Sequence, residues 1–109
     1  MKKRAPHPAL RLLKKIPRGK VVTYKEIARA CKTFPRVVGR IMAGNADPVD
    51  YPCYKVVASN GALTGYSAPG GLITKRQLLA SDGVQFLGGR VHPACFHRFS
   101  RMEISEAQE

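Results

Sequence analysis

The sequence predicts a mainly α-helical single domain with a small β element, of winged helix-turn-helix type. Three observations carry that expectation. The chain has 109 residues, room for one modest hydrophobic core but not for two. Two short helical patterns, Tyr24 to about Ala30 and Pro35 to about Ala43, are separated by only a few residues, as in a helix-turn-helix. Further on, Gly88-Gly89 lies between the extended runs Val84 to Leu87 and Arg90-Val91, a hairpin of the kind that forms a wing.

The first element is an amphipathic helix from Pro8 to Ile16. Leu10 and Leu13 lie three apart and Leu12 and Ile16 four apart, with Arg11, Lys14 and Lys15 between them. Pro17 ends it, Arg18-Gly19-Lys20 supplies a turn, and Val21-Val22 is a strand stub. Thr23 and Glu26 have the spacing of a capping box, in which the hydroxyl accepts from the Glu26 amide and the carboxylate reaches back to the Thr23 amide. Pro35 suits the first position of the next helix, where Val38, Ile41 and Met42 fall inward and Arg36 and Arg40 share the other face.

From Gly44 to Gly71 turn-forming residues prevail, among them Asn45, Asp47-Pro48, Pro52, Asn60-Gly61 and Gly65. Within that stretch Tyr54 to Ala58 fits a strand and a buried helical turn equally well. Leu72 to Ala80 returns to helical spacing. Leu72, Ile73, Leu78 and Leu79 are its apolar positions, and Lys75 and Arg76 are expected to face out. Residues 92–109 form a C-terminal extension whose acidic end, from Met102, is expected to fray.

Nineteen Lys+Arg against seven Asp+Glu give a formal net charge of +12, a field that concentrates polyanions. Between Met1 and Arg40 the only acid is Glu26, so the helix-turn-helix half is the expected nucleic-acid surface. No apolar run approaches a membrane span, and Met1-Lys2-Lys3-Arg4 does not lead into a signal-peptide hydrophobic segment, so an intracellular, cytoplasmic location is expected. Cys31, Cys53 and Cys95 cannot all pair with one another and are expected as thiols. His92, Cys95 and His97 lack a fourth ligand and match no standard zinc spacing, so no metal is expected.

A lone cysteine is most often a small core residue, and Cys31 and Cys95 are read that way. Around Cys53 other features accumulate: the rigid Pro52 before it, Tyr54 and Lys55 after it, and a downstream Gly-rich loop. A nearby cation and a hydrogen-bond donor stabilise a thiolate, the nucleophilic form of cysteine.

The run Ile16 to Tyr24, the helix Pro35 to Arg40, Asn45, Pro52-Cys53, Gly65-Tyr66-Ser67 and the helix end from Lys75 to Gly83 follow in order. Over roughly residues 8–91 they resemble the C-terminal, DNA-binding and active-site domain of O6-alkylguanine-DNA alkyltransferases. The resemblance implies a DNA repair protein, monomeric and free of cofactors. Such a protein binds double-stranded DNA containing O6-alkylguanine, flips the base, and transfers the alkyl group irreversibly to Cys53. That activity is a single-turnover methylated-DNA-[protein]-cysteine S-methyltransferase.

The same resemblance implies residue roles. Arg36 would fill the space of the flipped base, Arg40 would contact DNA, and Gly39 and Ala43 would let the helix approach the minor groove. Tyr24 would rotate the nucleotide and Asn45 would brace the loop ahead of the active site. Backbone carbonyls at Cys53 and Val56 would read the guanine amino group, Lys55 would join the lesion contacts, and Tyr66 and Ser67 would close on O6. The family keeps His-Arg after its cysteine, with a glutamate linked to the histidine through water; here the positions hold Tyr54 and Lys55, and the acid is Asp82. The implied catalytic set is therefore Cys53, Tyr54 and Asp82. A phenol, with pKa about 10 against about 6.5 for imidazole, is a poor base at neutral pH but still donates to a thiolate. Ala68-Pro69 lengthens the loop before Gly70.

Two other functions compete. Alkyltransferase-like proteins share the fold, bind the lesion without transfer, and flag it for another pathway; they usually carry tryptophan or another residue in place of the cysteine, and this chain has no Trp. A winged-helix transcription regulator would leave Cys53 and the Gly-rich loop without a role.

Overall fold

The computed structural model describes residues 6–65 and 70–108. Its elements run α1 (Pro8–Leu13), β1 (Val22–Thr23), α2 (Tyr24–Cys31), α3 (Pro35–Ala43), β2 (Val56–Val57), α4 (Gly71–Ser81), β3 (Phe86–Leu87), β4 (Arg90–Val91) and α5 (Arg101–Gln108). Short 3₁₀ turns occupy Cys53–Lys55 and Pro93–Cys95. The fold is mainly helical with two small sheets.

Helix α1 is shorter than its pattern predicts. Beyond Leu13 the amides of Lys14, Lys15 and Ile16 bond to carbonyls three residues back, because Pro17 disfavours the α conformation in the residue before it. Ile16 still reaches the core. Thr23 caps α2 as expected, its Oγ1 accepting from the Glu26 amide at 2.9 Å. The return half of the box is replaced: the Glu26 carboxylate takes the Arg29 guanidinium and, at 2.7 Å, the Phe99 amide, which pins the C-terminal segment to α2. Burial works to raise the Glu26 pKa, but these hydrogen bonds and the charges of Arg29 and Arg98 outweigh it and hold the carboxyl below its ordinary value.

At the end of α2, Lys32 adopts the left-handed conformation (φ 56°) and the Thr33 amide returns to the Ala28 carbonyl, turning the chain into α3. Val38 and Met42 of α3 are buried. Residues 54–58 resolve into both candidate forms, a 3₁₀ turn leading directly into β2. Strand β2 lies parallel to β1, Val22 opposite Val56 and Thr23 opposite Val57.

Alternation along this short ladder divides the core. Val22 and Val56 join Leu12, Leu13, Ile27 and Val38 on one side, whereas Val21 and Val57 join Leu79, Val84 and Val91 on the other. All four valines are fully buried, each contributing about 1.5–3 kcal/mol of transfer free energy. The Gly88-Gly89 hairpin forms as expected, with both glycines at positive φ, and Arg76 of α4 stacks over the Phe86 ring at 4.2 Å.

Two expectations are overturned. On α4, Leu72, Ile73 and Leu78 are exposed, while Lys75 points inward and is only 1% exposed; backbone carbonyls waiting there give the ammonium its partners. The acidic end does not fray through residue 108. Ser100 and Glu103 make a reciprocal capping box for α5, Ala107 is buried, and Lys15, in the turn after α1, pairs with Glu106 at 2.8 Å. Among the described residues no helix is long and apolar enough to cross a membrane.

Candidate active site

The position of Cys53 is set from both sides. Pro52 (φ −74°, ψ 77°) forms an inverse γ-turn, and the Cys53 amide donates to the Tyr51 carbonyl at 2.8 Å. That carbonyl also accepts from Asn45 Nδ2 at 2.7 Å, while Asn45 Oδ1 accepts from the Asp47 amide. Asn45, just beyond the end of α3, thus joins that helix end to the cysteine turn. The Lys14 ammonium lies over the Tyr51 ring at 5.2 Å. Cys53 itself is a free, half-buried thiol that opens the 3₁₀ turn, and the Val56 amide closes the turn onto its carbonyl.

Lys75 enters from α4. Its Nζ donates to the Val56 carbonyl at 2.6 Å and to the Thr64 carbonyl at 2.7 Å. Tyr24, the first residue of α2, donates its hydroxyl to the same Thr64 carbonyl at 3.2 Å. Burial pushes the Lys75 pKa down to about 8, and a favourable interaction with the Cys53 thiolate works against that shift. Burial likewise raises the Tyr24 pKa; the hydrogen bond to Thr64 opposes the rise and the Cys53 charge adds to it. A Cys53 thiolate is therefore felt by one buried ammonium and one neutral phenol. Gly65 (φ 65°) permits this approach, since a Cβ there would lie 2.9 Å from the Tyr24 hydroxyl oxygen.

Lys55 leaves the group expected at the lesion. Its ammonium is buried, 2.9 Å from Asp82 Oδ2 and 2.9 Å from the Pro17 carbonyl. Asp82 Oδ2 also accepts from the Gly19 amide at 2.9 Å, so the pair fastens the turn before β1 to the end of α4. The ammonium thus spends two of its three donors on internal partners, and its side chain is only 4% exposed. The Tyr54 ring packs against the second core cluster, whereas Cys53 packs against the first. Tyr66, Ser67, Ala68 and Pro69 lie outside the described residues.

On the outer face of α3 Arg36 and Arg40 are exposed, as are Lys25 and Lys32 beside it. Among the described residues none of the four forms an ion pair. Gly39 faces open space. This basic face suits a polyanion. Among the described residues no group of three His, Cys, Asp or Glu is gathered to hold a metal ion. The residue that sequence reasoning missed is Lys75: its only local signal is its place four residues before Leu79, on the helix face that turns inward.

Residues 7–84 match the family model for the 6-O-methylguanine DNA methyltransferase DNA-binding domain. The chain is 50% identical over 68 residues to a methylated-DNA--protein-cysteine methyltransferase of Pyrobaculum aerophilum, a match covering 62% of this chain and 45% of that protein. It is 45% identical over 78 residues to one of Methanopyrus kandleri, covering 72% and 57%. The chain thus spans about half the length of the curated relatives it matches. Among solved structures, the O6-methylguanine-DNA methyltransferase of Pyrococcus kodakaraensis superposes with a TM-score of 0.63 at 40% identity, covering 71% of this chain and 44% of that one. S. pombe Atl1, solved with damaged DNA containing O6-carboxymethylguanine, shares the fold with a TM-score of 0.68 at 24% identity, covering 89% and 100%.

Proposed function

Because the chain belongs to the 6-O-methylguanine DNA methyltransferase family through its DNA-binding domain, we propose that it is a repair protein that binds duplex DNA, extracts O6-alkylguanine and accepts the alkyl group on Cys53. The observation that carries this reading is the half-buried Cys53 thiol at the head of a turn that Asn45 ties to α3 and that runs straight into Val56, the carbonyl of which takes the Lys75 ammonium.

The thiolate sulfur attacks the alkyl carbon. A C–S bond forms, the bond from that carbon to guanine O6 breaks, and the electron pair stays on the guanine, which takes up the proton that the thiol released. The thioether has no route back, so one protein repairs one lesion. Chemistry on a base requires its removal from the stack, at a cost of a few kcal/mol. Arg36 fills the vacated space, Arg40 contacts the backbone, and Tyr24 turns the nucleotide toward Cys53. Asn45 keeps the cysteine turn in register with α3, and the Cys53 and Val56 carbonyls meet the guanine amino group. A carbonyl oxygen has two acceptor positions, so the Lys75 bond to Val56 leaves one for the base. Tyr66 and Ser67 close on O6. Tyr54 donates toward the sulfur, and Asp82 orients through Lys55 and Gly19 instead of relaying a proton.

A second reading, lesion recognition without transfer, draws on Tyr54, since a phenol replaces the family's histidine. Intact-mass measurement after incubation with an O6-methylguanine duplex separates the two. Methylation of Cys53, abolished in Cys53→Ser, supports transfer; tight lesion binding with unchanged mass supports recognition alone. The protein acts on DNA inside the cell, as a monomer.

A further inference from the structure

We propose that Phe34 is an apolar wedge that enters the minor groove beside Arg36 and unstacks a base step next to the lesion. The proposal rests on the reading that α3 inserts into DNA.

Phe34 is 67% exposed and belongs to neither core cluster. It stands at the N-cap of α3, where Ser, Thr, Asp or Asn would satisfy a first-turn amide, and α3 has no side-chain cap bond. A large ring at this position therefore gives up a capping interaction and gains no burial in return. Its base is nonetheless rigid. The Phe34 carbonyl accepts from the Val37 and Val38 amides at 2.9 and 3.2 Å, Pro35 restricts the Phe34 backbone to its extended conformation (φ −113°, ψ 149°), and the left-handed Lys32 turns the chain just before it.

The surroundings decide the partner. Lys32, Arg36 and Arg40, all within six residues of Phe34 along the chain, are exposed and make no ion pair among the described residues. An exposed aromatic ring on a fixed backbone, in a segment rich in exposed cations, complements a surface that is anionic outside and aromatic inside, which describes a nucleic-acid duplex. Minor-groove proteins insert apolar side chains between base steps to pry them apart, and that unstacking lowers the cost of removing the neighbouring base. Phe34 and Arg36 lie two residues apart at the same helix start, so the wedge opens the step and the arginine occupies the gap.

The chain has no tryptophan, so Phe34→Trp creates a lone fluorescent reporter. With an O6-methylguanine duplex whose own label reports binding by anisotropy, indole emission should be quenched severalfold along the binding curve. Phe34→Ala should weaken affinity about tenfold with the salt slope unchanged, because a stack and not a phosphate contact is lost. Phe34→Leu should recover most of that loss. Phe34→Ser should raise the melting temperature by supplying the missing cap while still weakening DNA binding, a pair of opposite effects that a structural role would not produce.

Unquenched emission on bound DNA, or Phe34→Ser binding as tightly as the parent, overturns the wedge and leaves DNA binding by α3 intact. Emission that shifts with protein concentration without DNA overturns it in favour of self-association. Absence of duplex binding by the parent protein removes the reading beneath it as well.

Discussion

Lys75 and Tyr24 donate to one acceptor, the carbonyl oxygen of Thr64, at 2.7 and 3.2 Å. The bond joins α4 to α2 through the segment that precedes the Gly-rich loop. Lys75 extends the link to the Val56 carbonyl, three residues beyond the cysteine. Structural support and electrostatics around Cys53 thus meet in a single side chain.

Lys75→Met should cost about 1–3 kcal/mol in denaturant unfolding, since it leaves the buried Val56 carbonyl without this donor, while Thr64 keeps Tyr24. Lys75→Gln can still donate a hydrogen bond but loses the charge. It should keep more of the stability while slowing methyl transfer to Cys53 about tenfold, the equivalent of one charge contact of about 1.4 kcal/mol. The pH dependence has a definite sign. Burial holds the folded-state value down to about 8, against about 10.4 in an unfolded chain, so within that window the folded protein binds fewer protons. The stability advantage of the parent over Lys75→Gln should grow as pH rises from 7 to 10.

Gly65→Ala should destabilise by about 1–2 kcal/mol through its positive φ alone, and its Cβ should also displace the Tyr24 hydroxyl. Adding Tyr24→Phe removes the clash but not the backbone strain. A double-mutant cycle read by thermal melting should therefore show partial rescue, and full additivity would count against the contact.

Lys55→Met should destabilise by about 3 kcal/mol, because Asp82 would be left as a poorly hydrated charge, while the salt slope of DNA binding should not change. Arg36→Ala should do the reverse, with near-native stability and weaker lesion processing, and Arg40→Ala should make the slope shallower. A shallower slope for Lys55→Met would return that residue to the DNA surface.

Glu26→Gln weakens the tie between α2 and the segment at Phe99. The Glu26 pKa is depressed in the folded protein, so its contribution is fully present above the unfolded carboxyl value of about 4.3 and disappears as pH falls through the folded one. Melting temperatures of parent and variant should differ most near neutral pH and converge toward pH 3.

The elements readable in advance carry their signals within a few residues. The Thr23 cap of α2, Pro35 at a helix start and Gly88-Gly89 in a hairpin each specify local geometry, and each is found. The features that were not readable depend on partners distant in sequence. Lys75 faces inward because carbonyls at 56 and 64 receive it, whereas helical spacing alone assigns Leu72, Ile73 and Leu78 to that side. Lys55 and Asp82 find each other across the fold, and α5 holds its polar sequence in helical form through its docking on α1. Around Cys53, Pro52 marks the turn within the sequence, while the Lys75 ammonium arrives from α4 and leaves no mark near the cysteine.

The parallel pairing of Val22 with Val56 and Thr23 with Val57 has a consequence for mutational tolerance. Tyr24 directly follows one strand and the cysteine turn directly precedes the other, so these four residues act as the pivot of a caliper whose tips are the phenol and the thiol. Exposed positions such as Val49, Leu87 and Met102 can be exchanged freely without altering the gap. A change of side-chain volume at Val22 or Val56 would alter it directly, so the spacing of phenol and thiol has its most sensitive adjustment in two side chains that touch no solvent.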